Sequence, residues 1–125
     1  MKYIPQKCKF PLDTPIWIRL GKEWPGRGEI QIDHLATRYR PKLNLVLSGI
    51  NAQIRPGEQI GIVGRTGAGK TTLAMAIFRL VEPCDGRIQI DGIDLARLGL
   101  RDIRSRLSIV PQVNLPKLLF SVTFY

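Results

Sequence analysis

Residues 61–73 read GIVGRTGAGKTTL. Within them, Gly64-Arg65-Thr66-Gly67-Ala68-Gly69-Lys70-Thr71 fits the pattern G-x-x-x-x-G-K-[ST]. Glycine reaches positive φ at low cost and carries no Cβ to keep a ligand away. A loop of this kind turns successive backbone N–H groups toward one point and forms a nest for an anion. If it runs straight into a helix, the unpartnered N–H groups of the first turn and the helix dipole add to the attraction. In that setting Lys70 reaches the β- and γ-phosphates of a nucleotide and the Thr71 hydroxyl meets Mg²⁺. The alternative is a glycine-rich turn ahead of an ordinary helix, and the flanking sequence separates the two. EQIGIV (58–63) is a short apolar strand candidate, and TLAMAIFRLVE (72–82) reads as a helix with apolar residues on both faces. Strand, loop and helix in that order are the context a phosphate-binding loop requires.

Outward from the loop, a small antiparallel β region is expected first. GEIQIDHLATRYR (28–40) alternates apolar and polar residues at Glu29-Ile30-Gln31-Ile32-Asp33, the mark of a half-buried strand. LNLVLSGINAQI (43–54) is a second strand region, and Arg55-Pro56-Gly57-Glu58 is a turn. On the far side, EPCDG (82–86) ends the helix. RIQIDGIDL (87–95) then forms a hairpin about Asp91-Gly92. GLRDIRSRL (99–107) is a short basic helix, and LSIVPQ (107–112) a buried strand stopped by Pro111. Strands first, then strand-loop-helix, predict an α/β core with a β subdomain packed against it. Residues 1–27, with Pro5, Pro11, Pro15 and Pro25, read as an extended linker in which Trp17 and Trp24 are candidate anchors.

Composition limits the function classes. The chain has 125 residues, 44% of them hydrophobic, which is enough for one domain core. Nineteen Lys and Arg against ten Asp and Glu give a net charge of +9, a balance that can mark a nucleic-acid partner. The basic residues are nevertheless spread along the chain, and no aromatics interleave with the one locally dense run, Arg101 to Arg106. Arg97, Arg101 and Arg104 read as one solvated stripe, so no nucleic acid is expected. Cys8 and Cys84 lie far apart without metal-ligand spacing and read as thiols of a reducing compartment. His34 has no second ligand nearby and reads as a surface or strand residue. No apolar run is long enough to span a bilayer, and no signal peptide is evident.

Six stretches in order, WPGRGEI, YRPKLNLVL, PGEQIGIVGRTGAGKTTL, FRLVE, DGRIQIDGIDL and GLRDIRSRLSIVPQ, resemble the nucleotide-binding domain of an ATP-binding cassette (ABC) transporter. The likeness points to the second such domain of subfamily C, the multidrug-resistance-associated group. It implies a P-loop NTPase core of the ABC ATPase type with an N-terminal antiparallel β subdomain, truncated to its front half. It implies ATP and Mg²⁺ as ligands, and transmembrane domains and a second nucleotide-binding domain as partners. It also implies a place on the cytoplasmic face of a membrane within a longer parent transporter.

Roles carry over residue by residue. Gly64, Arg65, Thr66, Gly67, Ala68, Gly69, Lys70, Thr71 and Thr72 match the phosphate loop. Tyr39 matches the aromatic that stacks on adenine. Gln112 matches the glutamine that touches Mg²⁺ and the attacking water, so Thr71 and Gln112 are the metal candidates. The resemblance divides the chain into a linker (1–27), the front half of the domain (28–112) and a divergent tail (113–125). After Gln112 the sequence VNLPKLLFSVTFY leaves the family pattern. The family's signature stretch, its strand ending in Asp-Glu and its switch histidine have no counterpart here. Because phosphoryl transfer rests on positioning and electrostatics, these residues are expected to bind nucleotide better than they cleave it. Two alternatives stand beside the transporter reading, a non-hydrolysing nucleotide-binding or regulatory fragment and a basic nucleic-acid-binding module. The chain alone is expected to fold poorly, with an open sheet edge after Gln112 and an apolar tail, LLFSVTFY.

Overall fold

The computed structural model describes residues 20–63, 69–110 and 121–124. Strands β1 (Ile30–Thr37), β2 (Leu47–Ile54), β3 (Pro83–Ile90) and β4 (Ile93–Asp94) form one sheet in the order β2-β1-β3-β4, every pair antiparallel. The period-2 pattern of β1 appears as expected: Ile30 and Ile32 are buried while Gln31 is exposed. The register then slips on both sides. Ile32 faces Ala52 and Leu35 faces Ile50, while Asp33 faces Arg87 and Ala36 faces Asp85. The slip is centred on His34, whose φ of 47° is left-handed and whose N–H donates to Asn51 Oδ1 at 2.8 Å. Beyond this bulge Leu35, Ala36 and Thr37 are all buried. The bulge admits Gly86 (φ 75°) so closely that a Cβ there would fall on the carbonyl oxygens of Asp33 and His34.

The hairpin expected at Asp91-Gly92 is present between β3 and β4, with φ of 50° and 78° at its two residues. Both positive values match the turn that follows the twist of paired strands. A 3₁₀ turn (Leu95–Arg97) follows, capped by Asp94 through Oδ1 accepting from the Ala96 N–H at 2.9 Å. Helix α2 (Leu100–Arg106) lies where the basic segment predicted it, with Ile103 fully buried and Arg101 and Arg104 exposed. Arg97 is exposed as well, so the expected solvated stripe is present. One core collects Trp24, Ile30, Ile32, Leu35, Leu47, Ala76, Ile77, Phe78, Ile88, Ile90, Leu95, Leu98, Ile103 and Leu107. Burying an aliphatic side chain of this size contributes about 1.5–3 kcal/mol.

Three expectations are corrected. Residues 58–63 form no strand: none of them pairs with a described residue, Ile60 is 38% exposed and Val63 79%. A short apolar run becomes a strand only when a neighbour completes its ladder, and the segment lacks one among the described residues. Helix α1 spans Lys70–Ile77 and not 72–82. It stops in a Schellman motif: Arg79 sits at φ 50° and donates its N–H to Ala76 O at 3.0 Å, and the Leu80 N–H reaches Met75 O at 2.8 Å. Pro83 to Gly86, read as the helix end, belong to β3 instead. On one side β5 (Leu107–Val110) is paired by the tail itself, since β6 (Ser121–Phe124) runs antiparallel to it with Leu107 opposite Phe124, while its other side has no ladder partner among the described residues.

Candidate functional site

Helix α1 carries the site. Its N-cap is Gly69, at φ 89° and ψ 9°. Packing as well as turn geometry demands glycine here: a Cβ would lie 2.7 Å from Leu47 Cδ2 and 3.2 Å from the Val46 carbonyl oxygen. The β2 end of the sheet thus fixes where the loop hands over to the helix. The Leu73 N–H donates to Gly69 O at 2.9 Å, closing the first helical turn. No side chain caps that turn and no acidic residue lies in it. A helix start without its own capping acid is compatible with an external anion.

Three predicted residues fall in that first turn. Lys70 is half-buried, Thr71 is exposed and Thr72 is 3% exposed. Tyr39 comes from the chain just after β1. Its ring is 52% exposed, and its hydroxyl lies 2.7 Å from Thr72 Oγ1. The structure therefore brings Tyr39, Gly69, Lys70, Thr71 and Thr72 to one end of one helix. Gly64, Arg65, Thr66, Gly67, Ala68 and Gln112 lie outside the described residues. Beside Tyr39 opens a cleft of about 290 Å³, walled by Arg38, Arg40 and Pro41 on one side and by Leu80, Glu82 and Cys84 on the other.

Support for this end of the helix comes from residues that sequence reasoning did not single out. The Thr37 hydroxyl donates to Glu82 O at 3.1 Å, and the Val46 N–H donates to Thr37 O at 2.8 Å. Together they hold the start of β2 and the segment after α1 against the end of β1. At the opposite end of α1, the Arg79 guanidinium donates to Leu95 O at 3.1 Å and Leu98 O at 2.7 Å and pairs with Glu82 at 2.9 Å. A left-handed arginine closing a helix has no local sequence signal. Its only trace is the absence of a glycine where a helix of this length must stop. Val46 and Leu47 were read as strand residues, and nothing local marks them as the wall behind the loop.

Comparison with known proteins agrees with this geometry. The family model described as "ABC transporter" matches residues 47–123. An ATP-binding cassette transporter of Schizosaccharomyces pombe, abc2, is 57% identical over 91 residues, 73% of this chain and 6% of that protein. The metal resistance protein YCF1 of Saccharomyces cerevisiae is 54% identical over 91 residues, again 73% of this chain and 6% of the relative. ATP-binding cassette sub-family C member 2 of Rattus norvegicus is 54% identical over 90 residues, covering 72% and 6%. Among solved structures, a bacterial Atm1-family ABC exporter with ATP bound superposes with a TM-score of 0.65 at 37% identity, over 69% of this chain and 15% of that one.

The match to this family model marks the chain as part of an ATP-binding domain. The chain belongs to the ABC transporter family, and its similarity to subfamily C members bears out the resemblance read from the six stretches. It spans about 6% of the length of these curated relatives. Among the described residues, no helix is long and apolar enough to cross a membrane.

Proposed function

We propose that these residues form the adenine- and phosphate-binding part of the second nucleotide-binding domain of a subfamily C exporter, which uses ATP to drive substrates across a membrane. The observation that carries the reading is the meeting of Tyr39 and Thr72 at 2.7 Å, 33 positions apart in sequence. It sets an exposed aromatic ring beside the first turn of the phosphate-loop helix. A base stacked on that ring would lie within reach of a triphosphate held by residues 64–72. Lys70 would neutralise phosphate charge. The chemistry at Thr71 fits Mg²⁺: an exposed hydroxyl on the first helical turn, with Gln112 as the second candidate ligand. Bound Mg²⁺ would neutralise charge on the β- and γ-phosphates. The protein residues bind and orient; the signature stretch, the water-positioning carboxylate and the switch histidine that the resemblance implies have no counterpart in these 125 residues. Hydrolysis is accordingly assigned to the assembled transporter, with its transmembrane domains and a second nucleotide-binding domain, at the cytoplasmic face of the membrane.

Titration of a labelled ATP analogue into the full-length transporter tests the assignment. Lys70→Ala removes a charge-assisted phosphate contact and should weaken binding by about 1.5–3 kcal/mol. Tyr39→Ala should weaken ATP by roughly 1–3 kcal/mol, the range for stacking a base on an aromatic ring, and leave inorganic triphosphate unchanged. Equal affinities for Lys70→Ala and the parent would remove the phosphate assignment. An equal loss for triphosphate on Tyr39→Ala would make the tyrosine a structural residue.

A further inference from the structure

The chain that leads into β1 is held at two separate places. The first is the β3–β4 turn. There the Asp91 carboxylate accepts the backbone N–H groups of Arg27 at 2.9 Å, Gly28 at 3.1 Å and Glu29 at 2.9 Å, and the Asp91 N–H donates to Glu29 O at 2.9 Å. Trp24 seals this attachment: its ring is 8% exposed in the core, and its indole N–H donates to Ile90 O at 3.1 Å. The second place is the end of α2, where the Arg106 guanidinium donates to Gly21 O at 2.8 Å and also to Trp24 O. Ile103 and Leu107, on either side of Arg106, share the core with Trp24.

We infer that residues 21–29 are a strap fastened to the β3–β4 turn by Asp91 and to α2 by Arg106, so that the chain preceding Leu20 bears on α2 and on β5, which follows it directly. The carboxylate bonds of Asp91 go to the strap and none goes to α2. An ordinary anchor at Asp91 would therefore affect only the residues it touches. A strap under two-point attachment transmits the loss, because Gly21 and Trp24 hold the Arg106 guanidinium only while residues 24–29 stay seated. Each carbonyl that Arg106 binds belongs to the segment that Asp91 and the Trp24 ring keep in place. In the parent transporter, whatever moves the preceding chain then moves the helix that leads into β5.

Hydrogen exchange followed by mass spectrometry on the full-length transporter tests this, with peptides covering 21–29, 100–107 and, as reference, β2. Asp91→Ala should speed exchange by roughly tenfold both at 21–29 and at 100–107 while β2 stays unchanged, the size expected for losing charge-assisted hydrogen bonds. Arg106→Gln should loosen the same two segments, and Arg106→Lys, which keeps a charged donor, should stay within about twofold of the parent. The double variant Asp91→Ala/Arg106→Gln should be no faster at 100–107 than the faster single variant, since one strap can be released only once. Loosening of 21–29 alone, multiplied effects in the double variant, a lysine as labile as glutamine, or equal acceleration in β2 would each overturn the inference. The Arg106 pair changes a surface contact and supplies the answer should the Asp91 variant fail to fold.

Discussion

Ile30 and Val63 both stand in apolar stretches read as strands, and their fates differ. Ile30 is paired on one side with Ile54 and on the other with Ile90, and is 4% exposed. Val63 has no ladder partner among the described residues and is 79% exposed. The antiparallel sheet pairs β1 with β2 and, across a long stretch of sequence, with β3, and its strands share one apolar face. What orders the loop-bearing helix here is the sheet behind it: Leu47 and Val46 against Gly69, and Tyr39 against Thr72. The start of α1 thus takes its position from the sheet.

The strongest way to break this contrast is to damage the sheet where the bulge leaves no room. Gly86→Ala adds a Cβ onto two carbonyl oxygens at a left-handed φ, and should destabilise the domain by roughly 3 kcal/mol or more. Denaturant unfolding measures it, and a loss below about 1 kcal/mol would show that the β1 bulge yields easily. Next comes the contact between the sheet and the start of α1. Gly69→Ala drives a methyl into Leu47 and should cost about 1–3 kcal/mol in stability. If the sheet sets the loop's position, ATP affinity falls as well, and Gly69→Ala combined with Leu47→Ala costs less in stability than the two single changes added together. Stability lost with affinity intact would mean the loop keeps its position without the sheet. The smallest expected effect lies at the sheet surface. Hydrogen bonds from Arg87 and Gln31 hold the Asp33 carboxyl below its ordinary value. A carboxyl lowered on folding adds stability that is present above its unfolded pKa and lost as pH falls through the folded one. Unfolding followed below pH 4 should show a slightly shallower acid limb for Asp33→Asn, screened by salt because the pair is exposed. An identical limb would show that the bridge spanning β1 and β3 contributes nothing.

The same division governs what could be read from the sequence. The alternation at Ile30 and Ile32, the hairpin at Asp91-Gly92, the basic helix ending at Arg106 and the strand before Pro111 all follow from local pattern, and all are present. The helix start at Gly69 and Lys70 was legible because the glycine-lysine motif is local. The extent of α1 was not, since Arg79 ends it through carbonyls of Leu95 and Leu98, 16 and 19 positions away. The pairing of β6 with β5 was missed for a related reason: strand-forming residues in the tail indicate a tendency, while the partner is chosen by proximity in space. The proximity of Tyr39 to the helix was implied by resemblance. Its hydroxyl bond to Thr72 was invisible in sequence, because it spans 33 positions.

The arginine that ends α1 has a mechanical consequence. Eight residues make a rod about 12 Å long. Its far end is pinned: Arg79 ties it to the carbonyls of Leu95 and Leu98, and the Leu80 and Val81 N–H groups are both turned back to Met75 O. A rod fixed at one end does not slide along its own axis. A push at the other end, at Gly69 and Lys70, is therefore passed to the carbonyls of Leu95 and Leu98 and is not taken up by sliding.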